Sequence, residues 1–158
     1  MPPKTFVLFL LLVTCMEHIQ ACRDGWVQHQ DKCYMFSMLA EPWPAASSIC
    51  QAYHTYLAEP KTMSEMNFIS GFAEHLGKDY WLGISDIINE NHWVYSSNMD
   101  DISINNWGKN EPNGHTGENC VLAVAGLHYK WEDYPCDTVK PFVCEMPLGS
   151  DSGESVIG

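Results

Sequence analysis

KNEPNGHTGENC, residues 109–120, gathers two glutamates, three asparagines, one proline and two glycines into a polar run that ends at a cysteine. Glu111-Pro112-Asn113-Gly114 has the composition of a turn, and an EPN tripeptide taken alone is an ordinary one. An X-Pro bond is the one peptide that goes cis at low cost, and a cis Glu111–Pro112 bond would turn both flanking side chains to the same side. Further on, Trp131-Glu132-Asp133 adds two carboxylates just before Cys136. Were Cys120 and Cys136 linked, Glu111, Asn113, Glu118, Glu132 and Asp133 could converge on one spot. Four carboxylates and an amide carbonyl, without cysteine or paired histidine, make a hard oxygen site suited to calcium rather than zinc.

Upstream of this run lie two segments with helical periodicity. Thr62-Met63-Ser64-Glu65 is a capping box, in which the threonine oxygen and the glutamate side chain satisfy otherwise orphan amides. Met66, Ile69, Ala73 and Leu76 then recur at helical spacing, and Gly77 supplies a stop. An earlier helix is expected from about Pro44 through Ala46, Ile49, Cys50 and Tyr53. Short β-rich runs surround these helices: CYMF (33–36), DYWLGI (79–84), HWVY (92–95), CVLAVA (120–125), HYKWEDY (128–134) and PFVCEM (141–146). A strand, two helices and then several strands is the order of an α+β domain with an antiparallel sheet. Polar, aperiodic chain fills residues 85–93 and 96–118, and long irregular segments in a small domain are usually functional.

At the start, Lys4 precedes the apolar run 5–15 and a polar stretch to Ala21, which reads as a secretory signal peptide over residues 1–21. Its apolar part is too short to span a bilayer, and no later segment approaches the roughly 18 apolar residues a membrane helix needs. The expected product is secreted and extracellular, with one domain over residues 22–146 and a disordered tail over 147–158. Cleavage removes Cys15 and leaves Cys22, Cys33, Cys50, Cys120, Cys136 and Cys144, an even set that implies three disulfides in an oxidising compartment. The count alone leaves their pairing open. Linking Cys120 to Cys136 would staple the irregular region to a strand, and Cys50 to Cys144 would tie the first helix to the last strand. A net charge of −12 argues against nucleic acid as a partner, since phosphate binding needs Lys and Arg.

Taken together, these residues resemble the long form of the C-type lectin-like domain. The resemblance covers about residues 22–145. It rests on the six-cysteine layout, WLGI at 81–84 where the family usually has WIGL, Trp107 ahead of EPN, Glu118 in GENC, and WED in the family's WND position. It implies disulfides pairing Cys22 with Cys33, Cys50 with Cys144, and Cys120 with Cys136. It also implies calcium held by Glu111, Asn113, Glu118, Glu132 and Asp133, with the same side chains bonding two neighbouring hydroxyls of a sugar. EPN resembles the mannose-type version, suited to mannose, glucose or N-acetylglucosamine. Where the family has asparagine this chain has Glu132, so Glu118 and Glu132 present two acceptors to a hydroxyl with one proton to give. That should tighten calcium and loosen or broaden sugar recognition. An auxiliary calcium site is partly present in Asp86, Glu90 and Asn119, but the acid expected after EPN is Gly114.

No HExxH, nucleophile motif or phosphate loop accompanies the seven histidines, so no enzymatic activity is expected. The leading expectation is a calcium-dependent lectin for glycans on microbial surfaces or glycoproteins, serving agglutination in innate defence. It would need several sites for avidity, and so a noncovalent homo-oligomer. Two alternatives are an acidic calcium-binding matrix protein of a mineralised tissue, and a lectin-like protein-binding domain without sugar recognition.

Overall fold

A computed structural model describes residues 21–150. The expected signal segment, apart from Ala21, and residues 151–158 of the expected tail lie outside them.

The chain opens with a hairpin of β1 (Val27–His29) and β2 (Lys32–Glu41), followed by α1 (Trp43–Ala52), β3 (Tyr56–Leu57) and α2 (Met63–Leu76). Pro44 sits in the first turn of α1, where a missing N–H costs nothing. The capping box of α2 forms as its sequence predicts: Thr62 Oγ1 accepts from Glu65 N at 3.2 Å, and Glu65 Oε2 accepts from Thr62 N at 2.9 Å. Gly77 ends the helix in the left-handed region at φ 62°, which glycine adopts without penalty.

Five strands follow: β4 (Tyr80–Ser85), β5 (Val94–Tyr95), β6 (Cys120–Val124), β7 (Lys130–Tyr134) and β8 (Lys140–Pro147). The main path through the sheet is β1-β2-β8-β4-β6-β7, with β3 joined to β8 and β5 to β4. Among the named strands, the pairing departs from the antiparallel expectation at one place. β8 inserts between β2 and β4, antiparallel to the first and parallel to the second at Trp81↔Phe142. β8 also runs to Pro147, and Leu148 N donates to Asp31 O at 2.7 Å, so ordered chain continues past the boundary expected at 146. β7 starts two residues later than its hydrophobic run, because His128 and Tyr129 take φ of 53° and 58°.

β4 divides the core. Tyr80, Leu82 and Ile84 pack with Met66, Ile69, Ala73 and Trp131, while Trp81 packs with Trp43, Leu57, Phe142 and the Cys50–Cys144 pair. Gly83 permits this layering: a Cβ there would lie 2.5 Å from Leu57 O, and its N–H donates to Ala58 O at 2.8 Å. Three disulfides close the frame, Cys22–Cys33, Cys50–Cys144 and Cys120–Cys136. Beneath the β2–β8 pair, Lys32 Nζ bridges Glu65 at 2.7 Å and the fully buried Glu145 at 3.1 Å. Burial opposes the Lys32 charge, but these two acids outweigh it and push its pKa up to about 12. Burial likewise pushes Glu145 up to about 7, against the pull of Lys32.

Candidate functional site

Between β4 and β6 the chain makes a long loop, residues 86–119, with only β5 and a 3-10 turn (His115–Gly117) as regular structure. Its backbone is fastened from below by side chains whose sequence context does not advertise them. The buried carboxylate of Glu59 accepts from Ser97 N at 2.6 Å, Ser97 Oγ at 2.7 Å and Ser96 Oγ at 3.2 Å. Asn106, also buried, donates to Tyr129 O at 3.0 Å. Trp107 packs edge-on between Trp93 and Trp131, with ring centroids 4.9 and 5.7 Å away. Gly108 N donates to Trp131 O at 2.8 Å, so the stretch before EPN is laced to β7.

The Glu111–Pro112 bond is cis. Asn113 Nδ2 donates to Glu111 Oε2 at 2.5 Å. The nearly buried carboxylate of Asp133 accepts from Asn113 N at 2.9 Å and Gly114 N at 2.7 Å, so the end of β7 holds the EPN turn in place. Register brings the rest close, since Cys120 faces Tyr134 and Val121 faces Asp133, and the Cys120–Cys136 bond clamps that end of the ladder.

The electrostatics show how tightly the acids crowd. Partial burial, a contact with Asp133 and the nearby charge of Glu132 raise Glu111 to about 7, only partly offset by the Asn113 amide. Burial raises Glu132 as well, with the charges of Glu118 and Asp133 adding to it. The five expected residues are therefore neighbours, linked by overlapping contacts through Asp133 and Glu132. Among the described residues, no three His, Cys, Asp or Glu side chains are gathered closely enough to hold a metal ion directly. Glu118 also lies against the α-carbon of Gly114, in space that any Cβ at 114 would claim. The glycine that stands where the resemblance expects an acid thus makes room for Glu118.

The auxiliary residues show a different feature. Asp86 is 2 % exposed; its Oδ2 accepts from Asn91 N at 2.8 Å, while its Oδ1 is buried without a partner, as is Asn119 Oδ1. The two residues are joined by Asp86 N donating to Asn119 O at 3.2 Å. Burial raises the Asp86 carboxyl, with Asp133 contributing. Glu90 stands at the edge, its Oε1 accepting from Asn91 Nδ2 at 3.4 Å. A buried, unpaired carboxylate oxygen is costly, and the orphaned oxygens of Asp86 and Asn119, with the acids of the EPN turn, have the donor chemistry that suits a hard divalent cation.

The Lectin C-type domain family matches residues 39–146. Perlucin of Haliotis laevigata is 32 % identical over 128 residues, covering 78 % of this chain and 82 % of that protein. Among solved structures, the carbohydrate-recognition domain of the human scavenger receptor C-type lectin superposes with a TM-score of 0.75 at 27 % identity, covering 80 % of this chain and 99 % of that one. The cow C-type carbohydrate-recognition domain of CD23, solved in the presence of a GlcNAc2Man3 oligosaccharide, gives 0.73 at 28 % identity over 82 % of this chain and 98 % of the other.

Proposed function

The chain belongs to the C-type lectin domain family, and from that premise we propose that it is a secreted, calcium-dependent carbohydrate-binding protein whose site is the EPN turn and the end of β7. The observation that carries this reading is the Glu111–Asn113 pair. A carboxylate and an amide lie side by side at 2.5 Å on an accessible turn, and a sugar hydroxyl can give its proton to the first and accept one from the second.

Glu111, Asn113, Glu118, Glu132 and Asp133 would hold the calcium, with Asp86, Glu90 and Asn119 as the residues of an auxiliary site. The metal would supply direct coordination of two adjacent hydroxyls of one sugar. This chain's own part is to orient those hydroxyls. Glu111 accepts and Asn113 donates at the first, Glu118 and Glu132 stand at the second, and Asp133 fixes the turn through two backbone amides. The class of sugar is mannose, glucose or N-acetylglucosamine, which agrees with the oligosaccharide in the related CD23 domain. The role is binding rather than catalysis, and recognition of microbial glycans in defence is the use that fits. Agglutination would require a noncovalent oligomer, so light scattering on an agglutinating preparation should show a species larger than the monomer.

A second reading, an acidic calcium-binding matrix protein, is favoured by the net charge of −12. A glycan array with and without calcium separates the two, together with elution from mannose-agarose by a chelator. Calcium-dependent retention supports the lectin; calcium binding without retention on any glycan supports the matrix protein.

A further inference from the structure

Helix α2 uses two of its faces internally. One buries Glu65, Met66, Ile69 and Ala73; another leans Phe68 on His29 and Phe72 on Phe36. The third face carries Asn67, Ser70, Gly71 and Glu74, spaced so that they share one flank. Across a groove of about 310 Å³ this flank faces the turn of Ala125, His128 and Tyr129.

Gly71 is the telling residue. Glycine inside a helix costs stability relative to alanine, yet Gly71 is not in the left-handed region and a Cβ there would meet nothing within 4 Å. Neither backbone conformation nor internal packing asks for glycine; what its missing side chain does is keep the floor of the groove open. The opposite wall is built with equal care. His128 and Tyr129 are consecutive non-glycine residues with positive φ, a conformation that persists only when its surroundings enforce it. The turn sends the Tyr129 hydroxyl to Ala73 O at 2.8 Å and leaves His128 exposed on the wall.

An amide, a hydroxyl, a carboxylate and an imidazole, with no lysine or arginine among the lining residues, do not suit an anion, and the lining has too little apolar surface for an acyl chain. They suit a ring bearing several hydroxyls, each able to donate and accept. We propose that this groove is a second, calcium-independent subsite for a hexose ring, lying over Gly71 between Asn67, Ser70 and Glu74 on the helix and His128 on the turn. It shares no residue with the EPN site, so either site can fail without the other.

The test is an NMR titration of the isotope-labelled domain with methyl mannoside and, separately, N-acetylglucosamine, in a chelator. Saturable amide shifts confined to residues 67–74 and 125–129, with dissociation constants on the order of millimolar, are expected. Gly71→Leu, which fills the floor, should weaken binding by roughly tenfold or more, about 1.4 kcal/mol. Gly71→Ala, a better helix former, keeps the domain folded and provides a second reading of the same trend. Absence of saturable shifts, shifts elsewhere only, or unchanged shifts in folded Gly71→Leu overturns the proposal. A parallel arm with calcium, read at residues 111–118, reports on the EPN site separately.

Discussion

Glu132 stands beside Glu118, and the charge of Glu118 helps raise it. A sugar hydroxyl placed between them meets two acceptors and no donor, which costs on the order of 1 to 3 kcal/mol relative to a carboxylate and amide pair. Glu132→Asn is therefore expected to weaken calcium binding while strengthening retention on mannose-agarose, read by calorimetry and by chelator elution; an unchanged glycan-array profile would remove position 132 from the sugar contacts. At Gly114 the prediction is steric. Gly114→Ala displaces the Glu118 carboxylate that lies against it, so calcium affinity should fall roughly tenfold, about 1.4 kcal/mol, with little change in melting temperature. The nearness of Glu111, Glu118, Glu132 and Asp133 was readable in the sequence because the two cysteines flanking them suggested a link between their segments. The contact between Glu118 and Gly114 was not, since it is a matter of which atoms share a volume after folding. Nor could composition single out Glu59 or Asn106, whose partners lie 38 and 23 residues away.

Among the elements, α2 was the most legible, for a local reason: its capping box, core stripe and terminal glycine sit within one short stretch. Thr62→Ala should remove the bond to Glu65 N and cost about 1 kcal/mol, seen as a fall of a few degrees in melting temperature. β1 and β3 are not legible in the sequence, because they are short, lack a β-rich run, and exist only through partners elsewhere in the chain. The start of β7 is not legible in the sequence, because periodicity does not reveal the two positive-φ residues ahead of it. The Cys120–Cys136 bond ties the start of β6, just after Glu118, to the residues that follow β7, the strand of Glu132 and Asp133. Replacing both cysteines by serine should destabilise the fold by about 3 kcal/mol on a loop-entropy estimate and should weaken calcium binding more than Cys22→Ser with Cys33→Ser does, as calorimetry of the two variants would show.

For the whole molecule, buried carboxyls make stability depend on pH. Glu145 and Glu111 are both raised to about 7. A raised carboxyl contributes stability that is fully present below its ordinary range near 4.5 and is lost as pH rises through the folded value. Glu65 is shifted the other way, and its contribution is lost only in acid. Without divalent cations, the melting temperature should therefore fall between pH 5 and pH 8. Glu145→Gln should flatten part of that slope, with melting temperature against pH as the measurement. The α+β architecture was legible at this scale from element order. The parallel seam between β4 and β8 was not, because it depends on where the last strand inserts after a long excursion.

The disulfide connectivity also fixes how the molecule bears tension. A pull applied to residues 22 and 150 crosses directly to Cys33, peels β8 away from the facing residues 32–34, and then reaches Cys144, which is covalently tied to Cys50. The load path runs through 22, 33, 50 and 144, and the whole stretch from 51 to 143 hangs off it as an unloaded side loop. Tension borne between these two points would stretch β2 and α1 and leave the EPN turn slack.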